Sequence, residues 1–251
     1  MAPRQAVLGM EEGAFFHGVR KIFSGITFLL DGERTALVGE NGVGKSTLLK
    51  CLTGELELNR GKVIRSRNLR VGSLPQEVPP DLAGLTVRQV LEQSLERIDA
   101  LGEDWRIDVL LDEIEVAGAV ADGPFGALSG GWQRLILIAG AARLEEPDIL
   151  ILDEPTNHLD IGNINVLERW LAGDITMPML IVSHDREFLN RVSTRTLFLR
   201  EDGDHTFKVP FAQAREALLH RDAAAAVRST NVRSSRARAR ASAGAPSSGA
   251  V

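Results

Sequence analysis

The sequence predicts an α/β fold, a mainly parallel sheet with helices between its strands, joined to an antiparallel β subdomain and a small helical subdomain. Three observations lead there. Short apolar runs of strand length recur at Thr35–Val38, Val71–Leu74, Ile149–Leu152, Leu180–Val182 and Thr196–Leu199, with helix-like stretches between several of them. The first 30 residues and the segment Lys62–Leu74 are richer in strand and turn signals, as an antiparallel sheet beside the main one requires. From Thr86 to Ile98 the positions Val87, Val90, Leu91, Leu95 and Ile98 follow helical spacing, and Ile107, Leu110, Leu111 and Ile114 repeat it after the loop near Gly102. These two stretches place the helical subdomain at about 82–128.

The remaining elements follow in order. Gln133–Leu144 is apolar nearly all round, which predicts a buried helix. An Ala-rich stretch over 211–227 reads as a linker-like helix. Ser, Arg, Ala and Gly then take over without an apolar face, so 228–251 reads as a disordered basic tail and 5–210 as the main domain.

Composition sets the outer limits. With 251 residues, 44% hydrophobic and 25% charged, the chain has globular composition and room for a substantial core. No apolar run approaches the roughly 18 residues of a membrane span, and Met1–Met10 lacks the pattern of a secretory signal, so the expectation is a cytoplasmic protein that does not itself span a membrane. Cys51, the single cysteine, can form neither an internal disulfide nor a zinc site and reads as a small core residue. Net charge is −5, yet 228–251 carries five arginines and no acid, which leaves −10 for 1–227. An acidic body argues against broad nucleic-acid binding by the folded part, while the tail could touch phosphate.

Three motifs carry chemistry. Gly39-Glu40-Asn41-Gly42-Val43-Gly44-Lys45-Ser46, continued by Thr47, lies between an apolar strand and a helix start, the context of a phosphate-binding loop. Backbone N–H groups freed by the glycines wrap phosphates, Lys45 reaches the β and γ phosphates, and Ser46 is suited to ligate magnesium. A bare glycine turn needs neither the lysine nor the hydroxyl. Ile149–Leu152 runs into Asp153 and Glu154, placing two carboxylates at a strand's carboxyl end, Asp153 for magnesium and Glu154 as general base for the attacking water. Such a pair alone is more often a solvated turn; the upstream loop changes that reading. Leu128-Ser129-Gly130-Gly131 precedes the buried helix, with Ser129 at an N-cap position and two glycines leaving N–H groups bare, a second phosphate cradle.

In this order, and with Asp153-Glu154-Pro155-Thr156 and a later histidine, these motifs resemble the ATP-binding cassette (ABC) proteins over roughly 5–210. The resemblance implies a P-loop NTPase fold of the ABC nucleotide-binding type, with ATP and Mg2+ as ligands and ATP hydrolysis as the activity. It implies that Gln76, in Leu74-Pro75-Gln76-Glu77, senses magnesium and the attacking water, that Asp160 belongs to the loop coupling paired cassettes, and that His184 contacts the γ-phosphate. In this family an aromatic residue before the phosphate loop stacks on adenine; Phe16 is the match, with Phe15 its rival. Each ATP lies between the phosphate loop of one cassette and the Ser-Gly-Gly motif of another, so the resemblance implies a second cassette as partner, in a homodimer or from another chain.

Asp153-Glu154-Pro155-Thr156-Asn157-His158-Leu159-Asp160, together with Ser183-His184-Asp185-Arg186-Glu187-Phe188-Leu189 and Trp132 after the glycines, is similar to the ABC-F branch, soluble cassettes that act on ribosomes in translation. ABC-F proteins normally carry two cassettes and a charged helical linker, whereas this chain carries one, so a truncated or half-size member is the expectation. The ATP-binding subunit of a membrane transporter and a nucleotide-binding remnant with little turnover are the alternative readings. Arg236-Ala237-Arg238-Ala239-Arg240 could meet ribosomal RNA, or be a solvated tail.

Overall fold

The computed structural model describes residues 7–74, 78–100, 102–173, 175–200 and 203–225. In chain order the strands and helices begin with β1 (Leu8–His17), β2 (Arg20–Leu30), β3 (Arg34–Val38), α1 (Lys45–Thr53), β4 (Arg60–Arg65) and β5 (Val71–Ser73). Then come α2 (Val87–Glu96), α3 (Trp105–Glu113), α4 (Gly118–Ala121), α5 (Gly130–Ala139), β6 (Ile149–Asp153) and α6 (Ile161–Gly173). β7 (Met179–Val182), α7 (Arg186–Val192), β8 (Arg195–Arg200) and β9 (Gly203–Phe207) complete the body. A helix covers 211–225, and the described residues from Ala212 onward belong to a separate unit.

β1, β2 and β4 make an antiparallel sheet in the order β2-β1-β4, and the other strands make a six-stranded sheet in the order β5-β6-β7-β3-β8-β9. Within the larger sheet every pairing is parallel except β8 with β9. A parallel sheet is covered on both faces, so its strands read as continuous apolar runs, and the first four residues of β6 and all of β7 are buried. Alternation then divides the faces. Ile149, Ile151, Leu180, Val182, Leu197 and Leu199 join one core cluster with Leu48, Leu49 and Leu52 of α1 and with Leu8, Met10, Phe23 and Ile26 of the antiparallel sheet. α1 is thereby held between two sheets. Its apolar side is fixed from both directions, and so is the loop that feeds it.

The expected α/β fold with its antiparallel and helical additions is the observed one, with three differences. The stretch Lys62–Leu74 divides between the sheets: β4 is antiparallel to β1, but β5 pairs in parallel with β6, because Gly72 lies under Pro147 and Leu150 and draws this strand onto the main sheet. The helix expected over Gln133–Leu144 starts earlier, at Gly130, and gives way to a π turn over Gly140–Leu144. There Gly140 packs so closely on Leu91 and Ser94 that a Cβ would lie 3.0 and 3.1 Å from them. β9, unmarked by any apolar run, adds an antiparallel edge, and Asp204 on it accepts the Thr27 N–H at 2.9 Å, tying the two sheets together.

α2 is opened by a capping box in which Thr86 accepts from the Gln89 N–H and the Gln89 side chain accepts from the Thr86 N–H. Trp170 of α6, 1% exposed, donates from Nε1 to Glu113 of α3 at 3.1 Å, and Glu113 also pairs with Arg143 of the π turn at 2.8 Å. Burial pushes the Cys51 thiol up to about 11, as its core position requires.

Two outcomes follow. Trp170→Ala lowers the unfolding free energy by about 3–5 kcal/mol, whereas Trp170→Phe keeps most of the packing and costs about 1 kcal/mol for the lost hydrogen bond, both read by urea denaturation. At pH 8 the folded chain resists alkylation at Cys51 while the denatured chain reacts at an ordinary thiol rate, read by mass spectrometry.

Candidate nucleotide-binding site

The strand order decides what meets what. β6, β7 and β3 are neighbours and parallel, so the loops that leave their carboxyl ends emerge along one edge of the sheet. Those loops carry Glu154, His184 and Gly39–Lys45 respectively.

After β3 the chain turns through Gly42 (φ 81°) and Gly44 (φ 103°), left-handed conformations that glycine adopts without strain, and enters α1. A Cβ on Gly44 would lie 2.6 Å from Ile22, and one on Gly39 would lie 2.6 Å from the Leu199 carbonyl oxygen. The loop is therefore pressed between β2 and β8, while Gly42 faces open space. Lys45 Nζ donates to the carbonyl oxygens of Gly39 at 2.8 Å and Glu40 at 3.2 Å, which holds the ammonium over the loop. No acid lies in the first turn of α1, so its positive end is not neutralised from within the helix. Asn41 and Ser46 are exposed and Thr47 half-buried at the same place.

At the end of β6, Asp153 pairs in register with Val182 of β7. Glu154 adopts a positive φ of 48° and donates its N–H to the Val182 carbonyl at 2.8 Å, which turns the carboxylate toward β7. Its Oε2 accepts the His184 N–H at 3.0 Å, and its Oε1 lies 3.4 Å from His184 Nε2. The carboxylate is largely covered, with 18% of its side chain exposed, against 67% for His184. Behind this pair, Thr156 and Ser183 share a hydroxyl hydrogen bond at 3.0 Å, and Asp185 caps α7 by accepting the N–H groups of Glu187 and Phe188.

Ser129 caps α5, accepting the Trp132 N–H at 3.4 Å, and Gly130 beside it is exposed with open space around it. Gly131 is packed from behind: a Cβ there would lie 2.9 Å from Asn163 Nδ2 and 3.0 Å from the His158 carbonyl oxygen. Asp160 in turn accepts the Asn163 N–H at 2.8 Å at the head of α6. The Ser-Gly-Gly turn and the Asp160 turn are thus one packed unit. Phe15 stacks against Phe23 at 6.2 Å and joins the core, whereas the half-buried Phe16 donates its N–H to Asn59 Oδ1 at 2.6 Å. Gln76 lies outside the described residues, and so does 228–251.

Two features were not singled out in the sequence. Arg134, three residues after Gly131, is buried and donates to the Asp153 carbonyl at 3.3 Å; burial pulls its guanidinium below the usual range and the Asp153 charge partly restores it. A charged residue in an otherwise apolar helix was the available signal, since such a group must find a partner. The Thr156–Ser183 contact joins residues 27 apart and had no local signal at all.

Magnesium suits the hard oxygen donors available at Ser46 and Asp153. No cluster of three or more His, Cys, Asp or Glu side chains poised for a metal occurs among the described residues.

A family profile described as ABC transporter matches residues 26–157, from the end of β2 through the turn after Glu154. ABC transporter F family member 5 of Arabidopsis thaliana is 31% identical over 253 residues, covering 82% of this chain and 36% of its own length. ATP-binding protein Uup of Buchnera aphidicola subsp. Schizaphis graminum is 32% identical over 187 residues, covering 73% of this chain and 31% of its own. This chain spans about a third of the length of these curated relatives. A dimeric ATP-binding cassette in a post-hydrolysis state, bound to ADP and phosphate, superposes with a TM-score of 0.62 at 21% identity, over 80% of this chain and 98% of the other. The profile takes in the phosphate loop, the Ser-Gly-Gly turn and the paired acids, the same residues that the sheet brings to its edge or packs beside Asp160, and the chain belongs to the ABC transporter family as an ATP-binding domain.

Proposed function

We propose that this chain is an ATP-hydrolysing module of the ABC-F type, acting in the cytoplasm on ribosomes during translation, and that it works by closing against a second cassette. The observation that carries hydrolysis is the convergence of the Lys45 loop, Glu154 and His184 on adjacent parallel strands. Support for the ABC-F branch comes from the Asp153–Asp160 and Ser183–Leu189 strings and from the Arabidopsis relative's name. No helix among the described residues is long and apolar enough to cross a membrane.

The roles follow from chemistry. Backbone N–H groups of Gly39, Asn41, Gly42 and Gly44, with Thr47 at the head of α1, surround the phosphates, and the Lys45 ammonium turns from its carbonyl partners to the β and γ oxygens. Magnesium, when bound, neutralises phosphate charge, held by Ser46, Asp153 and Gln76. Glu154 takes the proton of the attacking water, oriented by the His184 N–H that already holds its carboxylate. Phe16 supplies the adenine platform. Ser129, Gly130 and Gly131, backed by Asp160, cap the nucleotide of the partner cassette, because Ser129 and Gly130 stand exposed on a separate turn that Gly131 anchors and whose own helix satisfies Ser129. The dimeric state of the superposed cassette supports this arrangement.

Four measurements test the proposal. Lys45→Ala weakens ATP binding at least about tenfold, roughly 1.4 kcal/mol, by titration calorimetry. Glu154→Gln leaves ATP affinity intact and lowers turnover by about 10²-fold or more; unchanged turnover would remove Glu154 as the base. Turnover per chain rises with protein concentration, and Ser129→Ala abolishes that rise if the chain pairs with itself. For the cellular role, Glu154→Gln protein with ATP co-sediments with ribosomes and with ADP does not; no ribosome binding in either state would leave an ATPase with a different partner.

A further inference from the structure

The two loops that carry Glu154 and His184 leave the sheet side by side, and past Asp153 and Val182 no strand pairing holds them together. What joins them there is a short set of bonds. Glu154 N–H donates to Val182 O at 2.8 Å, and Thr156 Oγ1 and Ser183 Oγ meet at 3.0 Å. Ser183 Oγ also accepts the Asp185 N–H at 3.1 Å, and Asp185 caps α7. The hydroxyl pair therefore stands in a continuous path from the turn after β6 to the first turn of α7. His184 sits between Ser183 and Asp185, so two anchored neighbours set the direction of its N–H toward Glu154 Oε2.

We infer that Thr156 and Ser183 form a latch that positions His184 against Glu154. It is a positioning pair: neither hydroxyl needs to touch nucleotide, and both act through the backbone of the loop that bears the histidine. Resting on the reading that Glu154 and His184 serve the γ-phosphate, the inference adds the residues that set their mutual geometry. The Ser183 oxygen accepts the Asp185 N–H and still has an O–H and a second lone pair for Thr156, so either hydroxyl can donate in the pair. Removing the Thr156 hydroxyl leaves Ser183 tied to Asp185 alone, and the turn after β6 keeps only the Glu154 bonds to Val182 and His184 as its link to the histidine loop. Thr156→Val preserves volume and branching while deleting the hydroxyl, and Thr156→Ser restores it.

The test uses the full chain labelled with 15N-histidine. Of five histidines, His184 is assigned by the signals lost in His184→Gln. Thr156→Val and Ser183→Ala are each expected to shift both the backbone amide and the imidazole signals of His184, while Thr156→Ser returns them to the wild-type positions and ATP affinity stays within about twofold throughout. If the His184 signals stay in place in both Thr156→Val and Ser183→Ala, the latch is wrong. A loss of ATP affinity as large as that of Lys45→Ala overturns it too, since the phosphate loop would then be what moved. Unchanged turnover in Glu154→Gln sinks the underlying reading of the site instead, and the response of His184 to Thr156→Val does not depend on it.

Discussion

The parallel alignment of β6, β7 and β3 is the constraint on which the site depends. Each strand is buried almost throughout, and each ends within a residue or two of its neighbour in the shared hydrogen-bond ladder. Because the register is fixed by apolar side chains on both faces, the loops beyond are delivered to the same edge without any contact between the loops being needed. Fine geometry is then added locally. Glu154 reaches its place through a left-handed backbone and a bond to Val182, and a non-glycine residue keeps that conformation only where its surroundings impose it.

The second support is α1, gripped between the antiparallel sheet and the main sheet. Ile22 on one side and the Leu199 carbonyl on the other leave no room for side chains at Gly44 and Gly39. The loop is shaped by its neighbours as much as by its own glycines. That is why the antiparallel sheet belongs to the architecture of the site even though only Phe16 on it has a proposed contact with nucleotide.

Much of this was legible in the sequence, for identifiable reasons. The five apolar runs became β3, β5, β6, β7 and β8 because a doubly covered parallel sheet writes itself as uninterrupted hydrophobic stretches. The glycine turn from Gly39 to Lys45 was legible because its spacing is local, and Ser129 was legible as a cap for the same reason. Less visible was anything set by tertiary packing. β9 has no apolar run because it is an edge strand, and α5 begins at glycines because Ser129 supplies the cap that their weak propensity does not. The π turn answers to Leu91 and Ser94, distant in sequence. Arg134 was passed over although its charge stood out in the helix, since only the fold reveals that it ends at Asp153.

Lys45 offers a last consequence. Its ammonium already donates to two carbonyl oxygens of the loop it serves, at 2.8 and 3.2 Å. In the proposed role, gripping a phosphate is then an exchange of partners, in which the charge is never stripped bare, and the same holds in reverse. In the proposed cycle the lysine has carbonyls to return to when products depart, so release does not have to leave its ammonium without a hydrogen-bond partner. A loop built this way exchanges some affinity for reversibility, which suits the proposed role of cycling between ligands.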